Sequence, residues 1–93
     1  MFEVIDLHLT EDIINSPFYE PKDSLRIQLD LFEKELDNAL VRGINGLIVI
    51  HGIGEGILKN AIHKILKQHP YILEYINDYH PLYGWGSTKI TFK

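Results

Sequence analysis

The segment from Gly46 to Gln68 constrains the fold more than any other part of this chain. An apolar run, Gly46 to Ile50, leads into His51-Gly52-Ile53-Gly54-Glu55-Gly56, and a helix-like stretch, Ile57 to Gln68, follows directly. Where a buried strand passes through glycines into a helix, backbone N–H groups at the start of the helix face outward and can bind an anion. Glycines can also serve only to make a tight turn. The segment therefore predicts a strand-loop-helix unit with a turn or an anion site at its centre.

The size and composition of the chain limit it to one compact domain. Ninety-three residues, 45% of them apolar, can form one modest core but not separate cofactor and substrate domains. Cysteine is absent, which excludes disulfides, iron-sulfur clusters and thiolate-held metals. No apolar run approaches the roughly 20 residues of a membrane helix, and the start of the chain lacks the pattern of a signal peptide. We therefore expect a cytoplasmic protein with no membrane partner.

Charge is distributed unevenly along the chain. The formal net charge of −4 argues against nucleic-acid binding, because such domains usually carry a basic surface. Residues 1 to 37 hold ten acids against three bases, giving −7, whereas residues 38 to 93 hold six bases against three acids, giving +3. The basic half contains the glycine segment, so a phosphate ligand at that segment is compatible with the charge.

Hydrophobic periodicity predicts four strands and two helices in the order β-α-β-α-β-β. The strands are Val4 to Leu9, Leu47 to Ile50, Tyr71 to Tyr79 and Thr88 to Phe92. The helices run from Asp23 or Ser24 to Arg42, with Gly43 as the stop, and from Ile57 to Gln68. Residues 10 to 22 have no usable period and predict a long loop, which the aromatic pair Phe18-Tyr19 attaches to the core.

This order predicts an α/β fold in which the first three strands are parallel and the fourth is antiparallel. Strand-helix-strand crossovers are right-handed, and the short last connection makes a hairpin. The carboxyl ends of the first three strands then share one edge of the sheet, which is where open α/β sheets bind ligands. Three groups of unusual residues meet at that edge: Asp6 and His8; His51 with its glycines; and Asp78, His80 and the segment Gly84-Trp85-Gly86.

Asp6, His8 and His51 are the candidate catalytic residues at this edge. A histidine titrates near neutrality and can take a proton from water, while a carboxylate can fix its tautomer. Structural roles for the two histidines are the alternative. Zinc held by all three side chains is a further alternative, although their spacing matches no standard zinc site.

Two other features suit a nucleic-acid ligand. Lys59, His63 and Lys67 recur every four residues and form a basic stripe, which is either a phosphate track or a solvated helix face. Trp85, the only tryptophan, lies between Gly84 and Gly86. Flexible flanks favour an exposed platform for stacking a base, with a core position as the alternative.

In combination these residues resemble the small MutS-related (Smr) domain family. Its L/I-D-L-H-G motif is matched by Ile5 to His8, with Leu9 at the glycine, and its H-G-x-G-x-G motif by His51 to Gly56. Its G-x-G-[AS]-T motif is matched by Gly84 to Thr88. The resemblance covers residues 1 to 93 as a single domain, apart from a loop insertion at about 10 to 22. It implies a two-layer sandwich with a four-stranded mixed sheet.

The resemblance also implies binding to DNA or RNA and endonuclease activity, with or without a divalent metal ion near Asp6 and His8. By motif, Asp6 and His8 are implicated in cleavage. The expected nucleic-acid surface comprises Gly52, Gly54, Gly56, Lys59, Lys67, Gly84, Trp85 and Gly86. Many members are modules of larger proteins, so other domains of a parent protein are expected partners. Because Leu9 departs from the motif and the first half is acidic, a non-catalytic protein-interaction module is the alternative function.

Overall fold

The computed structural model describes all 93 residues and contains four strands, three α-helices and one 3-10 helix. The strands are β1 (Phe2–Asp6), β2 (Gly46–Ile50), β3 (Ile72–Ile76) and β4 (Ser87–Phe92). The α-helices are α1 (Glu11–Ile14), α2 (Ser24–Arg42) and α3 (Ile57–Lys67), and the 3-10 helix is Pro21–Asp23. The predicted order of strands and long helices is confirmed.

The four strands form one mixed sheet in the order β1-β2-β4-β3. β1 and β2 pair in parallel, and β4 is antiparallel to both of its neighbours. β3 therefore points in the same direction as β1 and β2, as predicted, but it pairs with neither. The prediction that β1, β2 and β3 are parallel is thus right for their directions but wrong for their pairing. β4 lies between β2 and β3 and hydrogen-bonds to both.

The helices α2 and α3 pack on one face of the sheet and leave the other face uncovered. The core between the layers consists of buried apolar residues at helical or alternating spacing: Leu7, Phe32, Leu36, Ala39, Leu47, Val49, Leu58, Ile62, Leu66, Ile72 and Ile90. On the uncovered face Val4 is 47% exposed. The fold is therefore a two-layer sandwich, and its helices supply most of the side chains that bury the central strand β2. Neither long helix has an apolar stretch that could cross a membrane.

Helix α2 begins and ends where its sequence predicts. Gly43 follows its last residue with φ 70°, and the Gly43 amide donates to the carbonyl of Leu40. A left-handed residue at this position is the usual stop of a helix, and glycine adopts it without strain. Near the other end, the side-chain amide of Gln28 donates to the carbonyl of Leu7 at 2.9 Å. That bond ties the helix to the chain as it leaves β1.

Residues 7 to 22 differ most from the prediction. β1 ends at Asp6 rather than Leu9, because the Asp6 carboxylate accepts the His8 amide and turns the chain. The predicted loop contains α1 and the 3-10 helix. Phe18 does not attach this segment to the core, since its side chain is 90% exposed. Tyr19, in contrast, is half-buried, and its hydroxyl forms a 2.5 Å hydrogen bond with the hydroxyl of Ser24.

Candidate nucleic-acid site

Three loops meet at Gly52, at the edge of the sheet where β1 and β2 end. The amides of His51 and Gly52 both donate to the carbonyl of Gly86, at 3.0 and 2.9 Å. A β-carbon on Gly86 would lie 3.2 Å from the Cα of Gly52, and a β-carbon on Gly52 would lie 3.6 Å from Nε2 of His8. Gly52 is therefore hydrogen-bonded to Gly86 and lies beside the His8 ring, so that residues of all three motifs come together around it.

Asp6 and His8 form a hydrogen-bonded pair on this edge. One carboxylate oxygen of Asp6 accepts the His8 backbone N–H at 2.9 Å and lies 2.6 Å from Nδ1 of the His8 ring. The backbone hydrogen bond is the main reason that the pKa of Asp6 is lowered; desolvation opposes it, and the hydrogen bond and charge of the His8 ring add to the lowering. A carboxylate can only accept, so Nδ1 carries the proton, and Nε2 of the mostly exposed ring has no hydrogen-bond partner in the protein.

His51 directly precedes Gly52 in the chain, but its ring is directed into the protein. The residue is only 8% exposed. Its Nδ1 lies 2.7 Å from the carbonyl oxygen of Gly52 and its Nε2 lies 2.8 Å from Oγ1 of Thr88. Burial lowers its pKa, the hydrogen bond to Gly52 opposes that, and the charge of Lys59 lowers it further. The structure thus brings Asp6 and His8 together and gives both nitrogens of His51 internal partners.

The glycine loop presents a run of free backbone donors. Gly52, Gly54 and Gly56 all have positive φ, and Gly56, the residue before α3, has no side chain that could cap the helix. The Gly52 amide is bonded to Gly86, but the amides of residues 53 to 59 donate no hydrogen bond within the protein. Uncapped amides at a helix start, together with the helix dipole, bind anions. The Gly52 amide is therefore already paired, and the amides free to meet a ligand begin at residue 53.

Two lysines lie on α3, one near the glycine loop and one at the far end of the helix. Lys59 is half-buried in the first turn, close enough for its charge to lower the pKa of His51. Lys67 is exposed at the last residue of the helix. His63, between them, is directed inward, with Nε2 2.8 Å from Oγ1 of Thr88. The predicted three-residue stripe is therefore wrong for His63, and of its three members only Lys59 and Lys67 remain available to a ligand.

The second glycine segment presents an aromatic side chain. Trp85 is 55% exposed and packs edge-on against Tyr79, with ring centroids 5.6 Å apart. The side-chain amide of Asn77 donates to the carbonyls of Trp85 and Ser87, at 2.9 and 2.7 Å, and so holds the segment. A core position for Trp85 is excluded. Gly86 is buried against Gly52, so its part in the site is to allow that approach.

The side chains do not fit a metal ion held by the protein alone. No group of three His, Asp or Glu side chains is placed to share a metal. Asp6 and His8 face each other, and the nitrogens of His51 bind Gly52 and Thr88. Because a protein-held zinc needs at least three ligands, the combination of Asp6, His8 and His51 does not provide one.

Thr88 has hydrogen bonds to two histidine rings that its place in the G-x-G-[AS]-T motif did not indicate. Alternation along β4 puts it on the core face with Ile90, where it is fully buried. A buried hydroxyl needs hydrogen-bond partners. The structure supplies two, the rings of His51 and His63, and the sequence carried no signal for the second of them.

The sequence profile of the Smr domain matches residues 26–93. The chain belongs to the Smr domain family. The profile match begins within α2, so Asp6 and His8 lie before it. Their place among the candidate site residues rests on the β1 motif, on the position of the His8 ring beside Gly52, and on the hydrogen bond between Asp6 and His8.

The relatives of this Smr domain include long proteins named endonuclease MutS2. The one from Solidesulfovibrio magneticus is 39% identical over 71 residues, which cover 72% of this chain and 9% of that protein. The one from Clostridium tetani is 42% identical over 60 residues, 63% of this chain and 7% of that protein. The chain therefore spans less than a tenth of the length of these two relatives.

Two solved structures share the fold. The Smr domain of Thermus thermophilus MutS2 superposes with a TM-score of 0.71 at 21% identity, covering 98% of both chains. YdaL, a stand-alone small MutS-related protein from Escherichia coli, gives a TM-score of 0.63 at 18% identity and covers 97% of this chain and 63% of that chain. The four-stranded α/β sandwich of this Smr domain is thus a known arrangement.

Proposed function

We propose that this Smr domain binds nucleic acid and cleaves its phosphodiester backbone at the edge where His8 faces Gly52. The observation that carries the proposal is the position of Nε2 of His8, which would lie 3.6 Å from a β-carbon on Gly52. The free amides of residues 53 to 59 begin at the next residue. A phosphate held by these amides would lie beside a ring nitrogen that has no hydrogen-bond partner in the protein. The endonuclease names of the MutS2 relatives support the same function.

Binding would use backbone donors first and side chains second. The amides of residues 53 to 59 and the positive end of the α3 dipole would hold a phosphate, and Lys59 would add charge within one turn of the helix. Lys67 would contact the backbone farther along the strand. Trp85 would stack on a base, because its exposed face is not covered by Tyr79. The hydrogen bonds from Asn77 to the carbonyls of Trp85 and Ser87 would hold this segment in place.

Cleavage would use His8 as the general base. Nε2 accepts a proton from water, or from the 2′-hydroxyl of RNA, while the resulting oxygen nucleophile attacks phosphorus. The Asp6 carboxylate accepts the hydrogen bond from Nδ1–H and stabilises the imidazolium that forms. The bond from phosphorus to the leaving oxygen then breaks, and the imidazolium can return the proton to that oxygen. Loop amides stabilise the charge on the non-bridging phosphate oxygens.

A cleavage assay with matched histidine variants tests this proposal. Supercoiled plasmid and structured RNA are incubated, with and without EDTA, with wild type, His8→Ala, Asp6→Asn and the control His69→Ala. His69 precedes β3 at the opposite edge of the sheet, where its Nδ1 accepts the Tyr71 amide. We expect His8→Ala to lower the rate by about 10²- to 10⁴-fold and His69→Ala to leave it unchanged. Equal activity in all four proteins would identify a contaminant and refute the catalytic assignment.

A second candidate is a protein-binding module without catalysis. Leu9 stands where the family motif has glycine, and Phe18 exposes nearly its whole ring on the insertion that follows. The great length of the MutS2 relatives supports other domains of a parent protein as partners in either case. A salt titration separates the two, followed by the fluorescence of the single tryptophan. Nucleic-acid binding weakens steeply above about 50 mM salt, and no binding at about 50 mM favours the second candidate.

A further inference from the structure

A buried hydrogen-bond chain runs behind the site from His63 through Thr88 to His51. Oγ1 of Thr88 lies 2.8 Å from Nε2 of His51 and 2.8 Å from Nε2 of His63. Thr88 is fully buried, His51 is nearly so, and His63 packs edge-on against Tyr75 at 5.0 Å between centroids. A hydroxyl has a single proton, so Thr88 can donate to only one of the two rings.

The carbonyl of Gly52 determines the direction of this chain. A carbonyl oxygen only accepts, so Nδ1 of His51, 2.7 Å away, carries the proton. In the neutral ring Nε2 is then an acceptor and receives the Thr88 hydroxyl proton. The hydroxyl oxygen is left to accept from Nε2–H of His63. The two histidines are therefore in opposite tautomers, with the proton on Nδ1 of His51 and on Nε2 of His63.

Both rings are in an environment that favours the neutral form. Burial is the first cause that lowers the pKa of each, and the charge of Lys59 acts in the same direction on both. The hydrogen bond from His51 to the Gly52 carbonyl opposes this effect for His51, and proximity to His51 adds to it for His63. A neutral pair is what the one-directional chain requires.

The hydrogen-bond chain ends at the peptide bond between Gly52 and Ile53, where the proposed phosphate site begins. In a trans peptide the carbonyl and the following N–H lie in one plane and point in opposite directions. Holding the Gly52 carbonyl inward against His51 therefore directs the Ile53 amide outward, and Ile53 is the first residue of the loop whose amide is free. The Gly52 amide is held separately by the carbonyl of Gly86.

We propose that Thr88 and His63 are positioning residues, which hold His51 in the tautomer that orients the Gly52–Ile53 peptide for phosphate binding. The effect on phosphate binding rests on the proposed function, whereas the hydrogen-bond chain and its tautomers do not. Without the Thr88 hydroxyl, Nε2 of His51 is a buried acceptor with no donor, which is unfavourable. The ring is then expected to reorient and release the Gly52 carbonyl, so that the Ile53 amide no longer has a fixed direction.

The first test measures the tautomers in the wild-type protein by ¹H–¹⁵N NMR of the histidine rings at about pH 7.5, where unperturbed histidine is neutral. We expect a proton on Nδ1 of His51 and on Nε2 of His63. The same tautomer in both rings, or a charged ring in either, would overturn the proposal. This measurement needs neither nucleic acid nor a variant, so it is independent of the proposed function and of any folding defect.

The second test compares Thr88→Val, Thr88→Ser and the control Thr91→Val, which lies on the uncovered face of the same strand. Thr88→Val removes the hydroxyl, and we expect it to move the Ile53 amide resonance and weaken oligonucleotide binding by about tenfold or more. Thr88→Ser should restore both, and Thr91→Val should change neither. If Thr88→Val leaves binding and the Ile53 resonance unchanged, positioning is refuted although nucleic-acid binding stands. If the wild type binds no oligonucleotide, the resonance still decides the positioning.

Discussion

A comparison of Gly52→Ala with Gly43→Ala distinguishes effects on the candidate site from effects on the stability of the fold. Both glycines adopt the left-handed conformation, with φ 80° at Gly52 and 70° at Gly43. An alanine in this conformation costs roughly 1–2 kcal/mol. For a domain of this size each kcal/mol lowers Tm by about 4–8 °C. The two variants should therefore lose similar amounts of stability.

Their effects on function should differ because their surroundings differ. The alanine methyl at Gly43 would meet nothing within 4 Å, whereas at Gly52 it would lie 3.6 Å from Nε2 of His8. That distance is an ordinary van der Waals contact, so the methyl adds little strain to the free protein. It does occupy the space through which a phosphate or a water would approach His8. A displacement of about 1 Å at a reacting group can lower a rate by about a hundredfold.

The assay combines urea unfolding of both variants with cleavage and binding of the same oligonucleotide. We expect comparable unfolding free energies, wild-type function in Gly43→Ala, and loss of cleavage by about a hundredfold in Gly52→Ala. If Gly52→Ala cleaves and binds as Gly43→Ala does, the space between His8 and the loop is not where the substrate lies, and the assignment of the site is refuted.

Three further predictions concern the core, the charge and the pH response. Phe32→Ala should lower the free energy of unfolding by about 3–5 kcal/mol, because the ring is fully buried; a much smaller loss by circular dichroism would contradict the core packing. Lys59→Gln should reduce the slope of log affinity against log salt by about one, and an unchanged slope in a fluorescence titration would remove Lys59 from the phosphate site. His51 and His63 are held neutral with pKa values below the ordinary 6.5, so below that pH the unfolded state takes up protons first. Stability should therefore fall as pH decreases through the interval between the ordinary and lowered pKa values, by at most about 1.4 kcal/mol per pH unit for each ring, and urea midpoints that stay constant there would contradict the neutral pair.

Elements whose signals are local could be predicted from the sequence. Helix α2 is one, since its apolar residues recur at helical spacing and Gly43 supplies the left-handed stop. The glycine loop is another, because a buried run, three glycines and a helical period follow one another directly. The order of the strands could not be predicted in the same way. The insertion of β4 between β2 and β3 depends on a pairing across the sheet that no local period specifies.

Side-chain positions, too, could be predicted only where the sequence carries a local signal. Asp6 and His8 are two residues apart, so their contact follows from local geometry. The inward direction of His51 had a signal in the alternation of β2, because residue 51 continues the core-facing series of Leu47 and Val49. The exposure of Phe18 had none, since an aromatic residue in a loop is compatible with either a buried or an exposed position.

An NMR titration of the ¹⁵N-labelled domain with short single-stranded, duplex and hairpin oligonucleotides tests the nucleic-acid site most directly. Backbone amides report on the loop itself and need no catalytic turnover. We predict that the largest shifts fall at residues 51 to 59 and 83 to 88, with the free amides from Ile53 onward among them. Shifts confined to α2, with the Gly52 loop unaffected, would contradict the assignment of this edge as the nucleic-acid site.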